Sequence, residues 1–189
     1  MLILGNEIEK GGVLVVAQLM CIAARTAPKV GGFDNIVTSV ITGEDKDKIV
    51  ETMKIIGKET DMYPYLINAE DVDDSELIVL IGMKSVRYGL KGCNFCGFSG
   101  CKKNKEAGAV CAMAIVTLGI AVGSALSVAG RNHVDNRVMF TIGKAALRLN
   151  LLDNEVKIAF GIPLSVKGKN IYFDKEWKKI FRLEKWEPE

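Results

Sequence analysis

Residues 107–130 read AGAVCAMAIVTLGIAVGSALSVAG, without one charged side chain. A stretch of this length and polarity has two stable fates. It spans a bilayer, or it forms the central helix of a folded core. Its richness in Gly, Ala and Ser over Leu and Phe favours the core. So does its start beside a group of cysteines. Gly119 and Gly123 recur at a four-residue spacing. In a core helix that pair is expected to admit a neighbouring backbone at close range.

Overlapping the start of this run is CNFCGFSGCKKNKEAGAVC, from Cys93 to Cys111. It holds four of the five cysteines, spaced C-x2-C-x4-C-x9-C. One C-x2-C bite suits any metal centre. A four-cysteine zinc site usually offers two such bites from separate knuckles. Here three thiols share one short loop, as iron–sulfur loops arrange them. Gly92, Gly97 and Gly100 allow the backbone to wrap inorganic sulfide and turn N–H groups toward it. A [4Fe–4S] centre held by Cys93, Cys96, Cys101 and Cys111 is the favoured reading, because the plant-type C-x4-C-x2-C order is reversed here. Structural zinc and a dithiol redox pair stay open as alternatives. If Cys111 lies in the first helical turn, the helix dipole faces an anionic cluster. Lys102, Lys103 and Lys105 are expected to be a solvated charge run, with docking of an acidic redox partner as their other use. Cys21, alone in VAQLMCIAA, reads as a small core residue.

The rest of the chain narrows the field. Its 189 residues fit a single domain, 1–189, with segment 93–111 as an elaborated loop before the apolar helix. Nearly half the residues are hydrophobic, so no metal is needed to build the core. A net charge of +2 with mixed signs provides no case for nucleic acid. The N-terminal MLILGNEIEK has no signal-peptide pattern, so a cytoplasmic location with reduced thiols and no membrane anchoring is expected. Ile8, Val15, Leu19 and Ile22 predict the inward stripe of a buried helix over about 6–26. NIVTSVIT, ELIVLIGM and EVKIAFGI predict strands, the second buried on both faces. GEDKDKIVETMKIIGKE predicts an amphipathic helix with Ile49, Met53 and Ile56 inward. VDNRVMFTIGKAALRLNLL predicts another, capped by Asp135, with His133 at its start. The aromatic tail (Tyr172, Phe173, Trp177, Phe181, Trp186) and the apolar helix carry more hydrophobic surface than a small monomer hides, so a homodimer with the tail near the interface is expected. No nucleophile elbow, Walker A loop or post-strand GxGxxG occurs.

Three segments, AARTAPKVGGFDNI, CNFCGFSGC and LGIAVGSALSVAGRNHVDNRVMFTIGKAA, together resemble the uncharacterised prokaryotic proteins said to contain a ferredoxin domain. More distantly, AARTAP, AMAIVTLGIAVGS and VKIAFGIPLS resemble segments of the nitroreductase family of flavin enzymes. That resemblance implies an α+β fold: a small apolar sheet flanked by helices around a long central helix. It also implies a dimer with FMN between subunits. The nitroreductases' early Arg-Arg-Ser has no match in LILGNEIEK. Arg25, Lys29 and Asn35 are the positions left for an FMN or anion site. Three functions follow: an iron–sulfur electron-transfer protein, an FMN-dependent oxidoreductase in which the cluster relays electrons, or a zinc-stapled binding protein. No catalytic residue is assigned, and the substrate and redox partner are unnamed.

Overall fold

In the computed structural model, which describes residues 2–173, a four-stranded antiparallel sheet lies between two helical layers. The elements are α1 (Gly5–Thr26), β1 (Ile36–Ile41), α2 (Gly43–Thr60), α3 (Tyr63–Asp73), β2 (Leu77–Lys84), α4 (Cys101–Glu106), α5 (Ala112–Arg131), β3 (Asp135–Asn136), α6 (Phe140–Arg148) and β4 (Val156–Ser165). The strand order is β1-β2-β4-β3.

β2 is the reason for the layering. It has almost no polar side chain, and alternate residues of a strand point to opposite faces. Leu77, Val79, Ile81 and Met83 pack under α1 and α5, while Ile78 and Leu80 pack under α2, α3 and α6. Each face contributes to its own hydrophobic core. Ile49 and Met53 of α2 are fully buried in the second, and Ile56 packs against it, as the amphipathic pattern predicts.

The second core also takes in Tyr172, fully buried. Burial raises its phenol far above the ordinary range, and the carboxylates of Glu76, Asp71 and Asp135 push the same way. Beside it Arg137 pairs with buried Asp71 at 3.6 Å and lies 5.8 Å from the Phe173 ring centroid. Tyr172 therefore anchors the chain to its own core. Trp177, Phe181 and Trp186 lie outside the described residues.

Several expectations are corrected. α1 buries Val13, Val16, Ala17, Met20 and Ala24, whereas Ile8, Val15, Leu19 and Ile22 face outward, 42–59% exposed. α1 is apolar on two faces, each with helical spacing, and the sheet covers the other one. The helix over VDNRVMFTIGKAALRLNLL starts only at Phe140. Asp135 and Asn136 instead pair with Ser165 and Leu164, because the edge of β4 offers them ladder partners. His133 stands past the C-terminal end of α5 with φ 54°, not at a helix start. Gly119 and Gly123 meet no neighbouring backbone of this chain; a Cβ at either would find nothing within 4 Å.

Two glycines do enforce a close approach. A Cβ on Gly143 would stand 1.8 Å from the Ala159 carbonyl oxygen, and one on Gly161 2.1 Å from Ile142 Cγ2. α6 thus lies directly on the β4 backbone. Gly143→Ala is expected to destabilise the fold by roughly 3 kcal/mol or more through this overlap. Gly130→Ala, where the Cβ position is open, should be neutral or stabilising by up to ~1 kcal/mol. Denaturant midpoints of the two variants check this, and equal midpoints would refute the close packing.

Candidate metal centre

β2 leaves the sheet at Lys84 and the chain runs through an irregular loop before α4. The loop turns where glycine permits it. Gly92 and Gly97 have φ 74° and 80°, and a Cβ at either would meet nothing, so backbone freedom and not space selects glycine there. Cys93 N–H donates to the Leu90 carbonyl, and Gly97 N–H to that of Asn94. Cys101 is the first residue of α4, and Cys111 is the N-cap of α5. Backbone and helix starts together bring Cys93, Cys96, Cys101 and Cys111 to the wall of one concavity of about 290 Å3, open to solvent. Leu90, Phe95 and Met113 complete its apolar lining. All four thiols are free of disulfides and partly exposed.

Among the described residues no three His, Cys, Asp or Glu side chains close to the spacing of a single metal ion. The soft thiolate set suits iron–sulfur chemistry. The free N–H groups at the start of α5 favour negative charge beside Cys111.

Two residues missed at the sequence level hold this arrangement. Asn104 is 1% exposed. Its Oδ1 accepts from Arg87 Nε at 2.7 Å, and its Nδ2 donates to the Val110 carbonyl at 3.0 Å. A second Arg87 nitrogen donates to the Ala109 carbonyl at 2.8 Å. The strand exit, α4 and the residues before α5 are sewn together by one guanidinium and one amide. Asn104 sits among lysines in CKKNKE, so only its polarity change within the run hinted at burial.

The other candidates lie elsewhere. Cys21, on α1, is half-buried; desolvation raises its thiol pKa, against a hydrogen bond with Thr38 and the charge of Arg25. It stays a protonated packing residue. Arg25, Lys29 and Asn35 come together between the end of α1 and the start of β1. Arg25 donates to Asp34 and to the Ile36 carbonyl, both at 2.6 Å. Lys29 donates to the carbonyls of Arg25 and Ala27, and its side chain is 7% exposed. The Asn35 carbonyl accepts from Lys84 N–H at 3.0 Å. Both cations already serve the chain, so they do not fit an FMN phosphate without displacing Asp34. A second concavity of about 270 Å3 shares Cys111 and is lined by Met83, Val86, Ile115, Ile158 and the rim cation Lys157.

Asn104→Ala is expected to cost roughly 1–2 kcal/mol, since it empties a buried site and leaves the part-buried Arg87 Nε and Val110 carbonyl without this partner. It should also speed the loss of any bound iron to a chelator. Denaturant titration and chelator kinetics read the two effects, and wild-type values in both would remove Asn104 as the organiser of the loop.

Comparison with known proteins places these features. The sequence model of a family described as "uncharacterized protein containing a ferredoxin domain" matches residues 107–175, a span that includes Cys111 and not the three loop cysteines. An uncharacterized protein of Archaeoglobus fulgidus is 37% identical over 187 residues, covering 95% of this chain and 100% of that one. Among solved structures, a nitroreductase-type protein in complex with FMN from Desulfovibrio desulfuricans aligns with TM-score 0.57 at 15% identity, over 92% of this chain and 84% of that one. Nitroreductase A from Vibrio parahaemolyticus aligns with TM-score 0.52 at 13% identity, over 82% of this chain; this chain spans 59% of that protein's length. The fold is nitroreductase-like α+β, and the chain belongs to the family of uncharacterized proteins containing a ferredoxin domain.

Proposed function

We propose that this protein carries an iron–sulfur cluster, [4Fe–4S], on Cys93, Cys96, Cys101 and Cys111, and transfers electrons through it. The observation that carries the reading is the single concavity lined by all four thiols. The family description, a ferredoxin domain, supports the same chemistry. When bound, the cluster would supply one-electron redox capacity. The chain's own part is to present four thiolates from a glycine-turned loop and two helix starts, and to set the positive end of α5 beside Cys111. A cytoplasmic setting suits thiols that stay reduced.

A second reading is an FMN-dependent oxidoreductase. It is favoured by the cavity that shares Cys111 and by the FMN named for fold neighbours. A flavin in that cavity would contact the same cysteine. The engaged state of Arg25 and Lys29 stands against a phosphate site at the end of α1.

The visible spectrum and metal content of anaerobically purified protein test both. A broad charge-transfer band with iron and acid-labile sulfide is expected; resolved flavin bands would support the second reading, and a colourless zinc protein would overturn both. Serine at any of the four positions should abolish or badly destabilise iron binding, because a hard hydroxyl replaces a soft thiolate. Cys21→Ser should leave iron content unchanged. Full iron in a Cys101→Ser/Cys111→Ser double variant would sink the four-ligand assignment.

We further propose that the chain is a homodimer joined through α1 and α5. The outer faces of these two packed helices are apolar: Ile8, Val15, Leu19 and Ile22 on one, Ile115, Val116 and Ile120 on the other. Gly119 and Gly123 lie open on the same face of α5 and permit close approach of a partner. α5 is also long and apolar enough to cross a membrane. A twofold contact covers such a face without lipid. Gly119→Leu/Gly123→Leu should convert the dimer to monomer in sedimentation. A wild-type monomer, or recovery only in the membrane fraction, would contradict the proposal.

A further inference from the structure

The tip of the cysteine loop has a surface chemistry of its own. Phe95, between the first two cysteines, is 76% exposed, and Leu90 and Val110 are 46% and 48% exposed. An aromatic ring this open costs solvation and does nothing for the core. Around it the charge is one-sided. From Arg87 to Glu106 the chain holds five basic residues and one acid, although the whole protein nets only +2. Arg87 is spent on Asn104 and Ala109, and Lys103 on Glu106 at 3.0 Å. Lys91, Lys102 and Lys105 remain exposed, with no ion pair among the described residues.

We propose that this face is the docking surface for an acidic one-electron carrier protein, with Phe95 as apolar anchor and Lys91, Lys102 and Lys105 as cationic rim. It rests on the iron–sulfur reading above. Exposed apolar side chains on a segment whose unpaired charge is of one sign suit a short-lived protein contact: the ring gives contact area, and the cations steer encounter. The bias toward positive charge selects an acidic partner. Phe95 stands between Cys93 and Cys96 in the chain, so a carrier seated on it lies against the ligand loop. One electron then leaves the reduced carrier, which is oxidised, and enters the cysteine-bound centre, which is reduced, or the reverse. No bond and no proton moves.

The test is calorimetric titration of an acidic plant-type [2Fe–2S] ferredoxin, in its oxidised form, into the protein as purified. It is run at low and high salt, with cytochrome c as a basic carrier of the same reaction class. Saturable binding of the acidic carrier alone is expected, weakening as salt rises. Lys102→Glu/Lys105→Glu should lower low-salt affinity about tenfold and flatten the salt dependence. Phe95→Ser should lower affinity about tenfold at both salts. Matching denaturation midpoints confirm that the variants are folded. Equal binding of cytochrome c, no saturable binding, or indifference to both variants would overturn the proposal. So would a change in the sedimentation of the protein alone on Phe95→Ser, which would assign the loop to a second copy. Iron and sulfide analysis of the same samples judges the cluster separately, because the titration needs no electron to move.

Discussion

A helix of twenty residues with no charge before its last one has little side that water solvates well, and α5, which ends on Arg131, is such a helix. Its inner face, Ala114, Leu118, Ala121, Ala125 and Ala129, is closed by α1 and by the upper residues of β2. Small side chains dominate that face, and the hydroxyl of Ser124 donates to the Ala23 carbonyl of α1 at 3.0 Å. The pairing of α1 with α5 is the contact around which the first core forms. It also decides what is left outside. Burying one side of each helix leaves an apolar strip on the other side of both, on adjoining helices.

The same helix positions the cysteines. Its N-cap is Cys111, so the helix that the core holds also fixes one thiol. The other three ride on a loop with no hydrophobic core of its own. Their placement depends on polar groups, because a glycine-rich loop loses more conformational entropy on ordering than a helix does. Arg87 and Asn104 supply the restraint. Their hydrogen bonds cross from the strand exit to α4 and to the residues before α5, which converts a floppy connection into a walled cavity.

Charge follows a comparable division of labour. Where β2 leaves the sheet, Lys84 faces Asp153 and Glu155, and the carboxylates raise its pKa. At the end of α1, Arg25 and Lys29 stitch the helix to the following loop. These cations close local structure, while Lys91, Lys102 and Lys105 make no ion pair among the described residues. Cations of one composition thus divide into structural and outward-facing sets, and only their partners distinguish them.

Residue order alone determined a good deal. The unbroken apolarity of LIVLIGM specified a strand buried on both faces, and therefore helices on both sides of the sheet. The run after Cys111 specified the central helix, and the spacing of four thiols in one short segment marked them as the candidate site. These are local patterns, carried by neighbouring residues. What only tertiary structure decided were the choices between equivalent faces and partners. α1 offers two apolar stripes, and helical periodicity cannot say which one the sheet will cover. Asp135 and Asn136 have the chemistry of a helix cap, yet the open edge of β4 recruits them as a strand. Asn104 reads as one more polar residue among lysines until Arg87, distant along the chain, takes its amide oxygen. Each outcome turns on a contact between segments far apart in sequence, whose free energy exists only once both are in place.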